Sequence, residues 1–170
     1  VKWPGAEGEK PIHQDWTFTD EHRFRAVNVW VPLVDTSLAN GSLAVLPRSH
    51  VVLDRLRPAP SFPAGYHDPL IDLSIDDLDV VELRAGQAIA FDLALVHGSP
   101  ANHDAEPRCV IAANFLPKSA PARFHYCPDA AWTIDRYAVT DMSFFTRFNF
   151  RERPTVIPAC TCSMPFCTAG

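Results

Sequence analysis

The segment at residues 25–34, RAVNVWVPLV, has the composition of a β-strand. Its apolar residues partly alternate with others, and it is rich in valine and tryptophan, whose side chains pack well on a pleated sheet. Asn40-Gly41 is a strong turn signal, and the mostly apolar residues 42–46 that follow it predict a second strand. Two short strands on either side of a turn are typical of an all-β fold.

Three further short segments predict strands, at residues 80–83, 88–96 and 109–116, with a turn at Ala85-Gly86 between the first two. Residues 58–79 are rich in proline and acidic residues, which predicts a long surface loop with room for one short helix. Sixteen prolines against seven glycines also favour short elements joined by rigid turns. We therefore predict an all-β sandwich or barrel rather than alternating strands and helices.

The length of 170 residues suits one domain with its own core. We predict an ordered domain over residues 1–153 and an irregular tail over residues 154–170. The tail holds Cys160, Cys162 and Cys167, but the sequence offers no second cysteine pair to complete a zinc site. The chain begins at Val1 rather than at methionine, so we expect that its native N-terminal part is missing.

The net charge of −5 comes with 47% hydrophobic and 21% charged residues, which is ordinary for a soluble globular protein. The sequence has no basic stripe and no run of 18 apolar residues, so we expect neither a nucleic acid nor a membrane as partner. We therefore expect the partner to be a small-molecule substrate. The five cysteines are an odd number and do not suggest a disulfide framework, so we expect a cytoplasmic location. The oligomeric state stays open.

His13-Gln14-Asp15 places two potential metal ligands one residue apart. On an extended strand, residues i and i+2 point to the same face, so both side chains can reach one ion. Gln14 then faces the other way, and we favour a structural role for it. A third ligand has to come from elsewhere in the fold.

His97 is the best candidate for that ligand, because it ends the apolar segment FDLALV and precedes Gly98-Ser99-Pro100. His50 is the alternative, although it is better explained as a residue that pins the loop after a strand. Two histidines and one carboxylate leave open positions on a metal, as non-haem Fe(II) oxygenases require. The remaining histidines lie in polar or proline-rich segments and are predicted to be on the surface: His22, His67, His103 and His125.

Arg108 follows His97 by eleven residues, at the start of a predicted strand. A buried guanidinium is costly unless it pairs with an anion, and its planar fork suits a carboxylate. The distal carboxylate of 2-oxoglutarate would be such an anion. Ser99 lies two residues after His97, faces the same way on an extended chain, and has a hydroxyl that can donate to the same carboxylate.

Four segments together resemble the phytanoyl-CoA dioxygenase (PhyH) family: HQDW at 13–16, VNVWVPLVD at 27–35, NGSLAVLPRSH at 40–50 and HGSPANHDAEPR at 97–108. The resemblance extends to about residue 116 and, more weakly, to 126. It implies a double-stranded β-helix, or jelly roll, that lacks its N-terminal part here. It also implies iron ligation by His13, Asp15 and His97.

The resemblance further implies binding of the distal carboxylate of 2-oxoglutarate by Arg108 and Ser99, with Trp30 matching a tryptophan near the cosubstrate. The family's cofactors would then be Fe(II), 2-oxoglutarate and O₂. The expected reaction is hydroxylation of a small organic substrate with release of succinate and CO₂. Related halogenases carry a small residue in place of the carboxylate, so Asp15 favours hydroxylation.

Two alternative functions fit the same residues. The chain can be a metal-binding jelly-roll module without turnover, because the missing N-terminal part would leave the site incomplete. It can also be a cupin-type metalloenzyme, such as an isomerase, that does not use 2-oxoglutarate. Arg108 separates the last alternative from an oxygenase, because only the oxygenase needs this side chain for its cosubstrate. The identity of the substrate is not encoded in any motif of the sequence.

Overall fold

The computed structural model describes residues 1–53, 55–59, 70, 72–127, 133–147 and 152–163. Strands dominate these ranges: β1 (Lys10–His13), β2 (Val27–Pro32), β3 (Leu43–Val45), β4 (Asp79–Val81), β5 (Ile89–Asp92), β6 (His97–Ser99), β7 (Val110–Phe115), β8 (Ala122–Tyr126), β9 (Thr133–Val139) and β10 (Cys160–Ser163). Helix is confined to one turn, α1 (Ser49–Val52), and to 3₁₀ turns at Ala6–Gly8, Ile75–Asp77 and Met142–Thr146. None of these helices is long and apolar enough to cross a membrane.

The all-β prediction is confirmed, and β2, β3 and β7 lie inside the segments predicted for them. The predicted strand at residues 88–96 is wrong in extent, because β5 ends at Asp92. The Asp92 carboxylate accepts a hydrogen bond from the amide of Ala94, and its carbonyl accepts one from Leu95, so the chain turns here before β6. Half of the predicted loop at 58–79 lies outside the described residues, and the described half contains the 3₁₀ turn Ile75–Asp77.

The chain divides into two compact units. The first comprises Val1–Gln14, Val27–Leu53 and Pro69–Phe115, and it contains two antiparallel sheets with the strand orders β1-β6-β3-β4 and β5-β2-β7. Trp30 and Phe91 project from one sheet into the same buried cluster as Leu43 and Val45 from the other. The two sheets therefore face each other across one apolar core, which is the sandwich arrangement of a jelly roll.

The second unit comprises Asp15–Ala26, Asp54–Asp68 and Leu116–Gly170, and its described part contains the sheet β10-β9-β8. Its core is aromatic: Phe124 and Tyr137 are almost fully buried and pack edge-on or tilted against Phe144. Aromatic rings in these orientations contribute about 1 kcal/mol per pair beyond the area they bury.

The segment after residue 153, for which the sequence predicts no regular structure, contributes β10 to this sheet. The Thr161 hydroxyl donates a 2.7 Å hydrogen bond to the buried carboxylate of Asp135 on β9, and Arg153 forms an ion pair with the same carboxylate. The sequence Cys-Thr-Cys-Ser has no pattern that predicts a strand. It forms β10 through its pairing with β9. Cys160 is a free thiol and Cys162 is disulfide-bonded, whereas Cys167 lies outside the described residues.

His125, predicted to be a surface residue, is instead buried on β8, so that prediction is wrong. Its Nδ1 donates a 2.9 Å hydrogen bond to the carbonyl of Thr17. Its pKa is lowered from 6.5 to about 4, mainly by burial and with smaller contributions from the positive charges of Arg123, Arg136 and Arg57, although the bond to Thr17 acts in the opposite direction. The ring is therefore neutral in the folded protein.

We predict that His125 makes the folded protein less stable as the pH falls from about 6.5 to about 4. Below the unfolded-state pKa, the unfolded chain binds a proton that the folded protein excludes, so the free energy of unfolding decreases. Between pH 7 and pH 5 the loss from this group is about 2 kcal/mol. Urea denaturation at the two pH values measures it.

The matched variants are His125→Gln, which has no titrating ring, and His103→Gln at an exposed position. We expect the loss between pH 7 and pH 5 to shrink by about 2 kcal/mol in the first variant and to stay unchanged in the second. An unchanged loss in His125→Gln would show that the ring is not responsible.

Candidate active site

His13 and His97 face each other on neighbouring strands. β1 and β6 are antiparallel, and in their register His13 is the direct partner of His97. The centroids of the two imidazole rings are 4.3 Å apart. Asp15 follows the end of β1 by two residues, and one ligand atom from each of the three side chains lies within 4.8 Å of the others. The structure thus brings together the three residues that the sequence predicts as metal ligands.

The two imidazole rings are held in the same way. Nδ1 of His13 donates a 2.7 Å hydrogen bond to the carbonyl of Pro11, and Nδ1 of His97 donates a 2.9 Å hydrogen bond to the carbonyl of Leu95. A nitrogen that donates to a carbonyl carries the proton, so Nε2 is the nitrogen that offers a lone pair on each ring. Such a bond on the non-ligating nitrogen is the usual support of a metal-binding histidine.

Gln14 fixes the backbone between the two ligands of the His-x-Asp motif. Its side chain is buried, and Nε2 donates to the carbonyls of Leu53 and Ala94 at 3.0 and 2.6 Å. Ala94 is three residues before His97, so this amide connects the two segments that carry the histidines. Gln14 therefore has the structural position that the alternation of the motif predicts.

Arg57 holds the other side of the motif and has no counterpart in the sequence prediction. Its Nε donates a 2.6 Å hydrogen bond to the carbonyl of Asp15, and its Nη2 forms an ion pair with Glu21 at 2.6 Å. Arg57 is buried, so the pairing with Glu21 compensates the cost of removing its charge from water. Arg57 is far from the His-x-Asp motif in the sequence, so no local pattern predicts its contact with Asp15.

The cluster fits a divalent transition metal. Two imidazole nitrogens and one carboxylate on one side of an ion are the donor set that non-haem iron favours, with positions left for other ligands. His50, the alternative third ligand, is on α1 and is not part of the cluster. Its Nδ1 is buried and has no hydrogen-bond partner among the described residues.

A cavity of about 620 Å³ adjoins the two histidines. Its walls include Trp30 and Phe91 from the core, and at another part of its lining lie Ser99 and Arg108. Trp30 is both a member of the core cluster and a wall of this cavity, and the Arg108 guanidinium lies 5.3 Å from the centroid of its ring. The two candidate histidine ligands and the predicted carboxylate binders therefore line one cavity.

Arg108 is 5% exposed, and its Nε and Nη1 are buried without a hydrogen-bond partner among the described residues. Burial lowers the pKa of Arg108 from its ordinary value. The stacking on Trp30 does not satisfy N–H groups that lie in the plane of the guanidinium. A buried cation with two unused donors that lines a cavity is arranged to receive an anion.

Ser99 already has hydrogen-bond partners. Its hydroxyl donates a 3.1 Å hydrogen bond to the carbonyl of Gly41 and accepts one from the ammonium group of Lys2. Gly41 has a φ of +72°, and a Cβ atom added to it would lie 2.5 Å from the carbonyl oxygen of Pro100. Glycine is therefore required here both by the backbone conformation and by the close approach of the segment after β6.

Two facing antiparallel sheets with a His-Asp-His cluster beside a buried arginine define a jelly-roll protein with a candidate mononuclear metal centre. The chain belongs to the phytanoyl-CoA dioxygenase (PhyH) family, whose model matches residues 1–110. A phytanoyl-CoA dioxygenase from Arabidopsis thaliana is 30% identical over 110 residues, which are 63% of this chain and 38% of that protein. The chain thus spans less than half of the length of this curated relative.

Solved structures give the same assignment of the fold. EvdMO1 is 26% identical with a TM-score of 0.50, over 69% of this chain and 25% of that one. The non-haem monooxygenase ThoJ is 25% identical with a TM-score of 0.52, over 67% of this chain and 42% of that one. The epimerase SnoN, solved with Fe³⁺, α-ketoglutarate and nogalamycin RO, is 24% identical with a TM-score of 0.52, over 67% and 44%.

We predict that His97→Ala weakens metal binding by about a hundredfold or more, whereas His50→Ala changes it by less than about twofold. Loss of a residue that only supports a ligand already costs ten- to a hundredfold in metal affinity, so loss of the ligand itself costs at least as much. Calorimetric titration of Co²⁺ into each variant measures the difference. The opposite ranking of the two variants would make His50 the third ligand.

Proposed function

We propose that this protein is an Fe(II)- and 2-oxoglutarate-dependent dioxygenase that hydroxylates a small organic molecule. In that reaction 2-oxoglutarate, O₂ and R–H give succinate, CO₂ and R–OH. One observation carries the proposal: His13 and His97 of the His-Asp-His cluster line the same cavity as Arg108, whose Nε and Nη1 have no hydrogen-bond partner among the described residues. A metal centre alone would serve many reactions, but a metal centre with a buried carboxylate receptor fits a dicarboxylate cosubstrate.

The chain's own residues have distinct roles in this proposal. His13, Asp15 and His97 would hold the iron, which when bound supplies the activation of O₂ and of the 2-oxo acid. Arg108 would pair with the distal carboxylate of 2-oxoglutarate, and Trp30 would keep that end of the cavity apolar and dry. Burial of His97 and Arg108 excludes competing water from both ends of the cosubstrate.

Asp15 supports hydroxylation among the outcomes open to this family. Its carboxylate is within reach of the same point as both histidines, so it would take a metal position that halide-transferring relatives leave open. The substrate would enter the remaining part of the cavity, which Asn28 and Leu43 also line.

The test of the proposed function is binding of 2-oxoglutarate to the Fe(II)-loaded protein under nitrogen, with the Arg108→Met variant alongside. Loss of a charge-assisted, paired contact costs about 1.5–3 kcal/mol, so we expect the dissociation constant to rise by about ten- to a hundredfold. Undiminished binding in Arg108→Met would exclude this side chain as the carboxylate receptor.

Succinate production after admission of O₂ separates the alternatives. Formation of succinate, even without substrate, identifies an oxygenase, and a hydroxylated product with a suitable substrate identifies the outcome. Tight binding of metal and 2-oxoglutarate without any succinate would instead favour a module without turnover. Metal binding without 2-oxoglutarate binding would favour a metalloenzyme of another type.

A further inference from the structure

Lys2 is a buried cation at the carboxylate end of the cavity that the sequence motifs do not reveal. It is 6% exposed and lines the same cavity as Arg108 and Ser99. Its ammonium donates to the hydroxyl of Ser99, to the carbonyl of Ser99 at 3.2 Å and to the carbonyl of Pro100. All three of its acceptors are uncharged.

Lys2 and Arg108 are directly opposite each other in an antiparallel bridge. The amide of Lys2 donates to the carbonyl of Arg108 at 2.8 Å, and the amide of Arg108 donates to the carbonyl of Lys2 at 2.9 Å. Residues paired in this way have their side chains on the same face of the two-stranded ribbon. Two like charges in these positions repel each other, and burial strengthens the repulsion.

The cost of this arrangement is visible in Lys2 itself. Its pKa is lowered from 10.5 to about 8, mainly by burial and next by the charge of Arg108, whereas Glu9 raises it and Lys10 has a smaller lowering effect. The charge of Glu9 thus only partly offsets the effects of burial and of Arg108 on the pKa of Lys2. An anion placed between Lys2 and Arg108 would remove the repulsion and accept from Nε and Nη1 of Arg108, which have no partner in the part of the chain that the structure describes.

We propose that Lys2 is the second cation of the carboxylate-binding site, so that the distal carboxylate of 2-oxoglutarate is bound between Lys2 and Arg108. Ser99 is held beside this carboxylate by Lys2 rather than acting as an independent donor, because its hydroxyl proton is directed to Gly41. This inference rests on the proposed function and adds a determinant of cosubstrate selection to it.

Two ligands of equal chain length test the role of the charge. 2-Oxoglutarate has a carboxylate at the distal end, and 2-oxopentanoate has a methyl group there. We expect Lys2→Met to raise the dissociation constant of 2-oxoglutarate by about tenfold or more in the Fe(II)-loaded protein under nitrogen. The same variant should bind 2-oxopentanoate within about twofold of the unchanged protein. The control is Lys118→Met, which replaces an exposed lysine of the second unit and should alter neither value.

Lys2→Gln separates the charge from the structural tie. Glutamine can still donate to the Ser99 and Pro100 oxygens but has no charge, so we expect it to bind 2-oxoglutarate as weakly as Lys2→Met does. Recovery of the original affinity in Lys2→Gln would reduce Lys2 to a support for the loop and overturn the proposal. An equal loss of affinity for both ligands would overturn it in the same way.

A further measurement needs no variant. Because the pKa of Lys2 is about 8, raising the pH from 7 to 9 should neutralise most of Lys2 in the unliganded protein. The preference for 2-oxoglutarate over 2-oxopentanoate should then fall several-fold, and a constant preference would contradict the role of Lys2. If the unchanged protein binds no 2-oxoglutarate at pH 7, the proposed function itself fails, whereas normal binding that Lys2→Met leaves intact refutes only the role of Lys2.

Discussion

The pairing of β1 with β6 is the contact on which the candidate site depends. It places His13 opposite His97, and β6 is itself held on its other edge by β3, with Val45 opposite His97. A strand hydrogen-bonded on both sides cannot shift its register without losing both ladders. The geometry of the histidine pair is therefore a property of the sheet, and Gln14 and Arg57 then restrict the backbone through which Asp15 joins it.

Lys2 and Arg108 place two positive charges in the lining of the cavity, near Ser99. Among the described residues, Nε and Nη1 of Arg108 have no hydrogen-bond partner and the ammonium of Lys2 donates to neutral oxygens, so two buried cations lie next to each other. An uncompensated buried charge is costly, and a bound anion would offset that cost. The proposed selectivity for a dicarboxylate would follow from this, because a ligand without a distal carboxylate would fill the cavity and leave the repulsion between Lys2 and Arg108 in place.

Much of this arrangement can be predicted from the sequence. The spacing of His13 and Asp15 by two residues predicts that both can bind one metal ion. The segments around Trp30 and Leu43 have the composition of strands and predict the all-β fold. The role of Lys2 could not be predicted, because it depends on a bridge between residues far apart in the chain. β10 and the burial of His125 could not be predicted for the same reason. β10 depends on its pairing with β9, and His125 on its hydrogen bond to the distant Thr17. Local patterns do not contain these contacts.

β6 carries both His97 and Ser99 within three residues. Two steps along a strand are about 7 Å, so in the proposed site this strand sets the distance between a metal ligand and a residue beside the bound carboxylate. The length of ligand that the proposed site accepts would then be fixed by the backbone of β6. In the proposed site, a dicarboxylate shorter than 2-oxoglutarate by one carbon would therefore not span both groups at once.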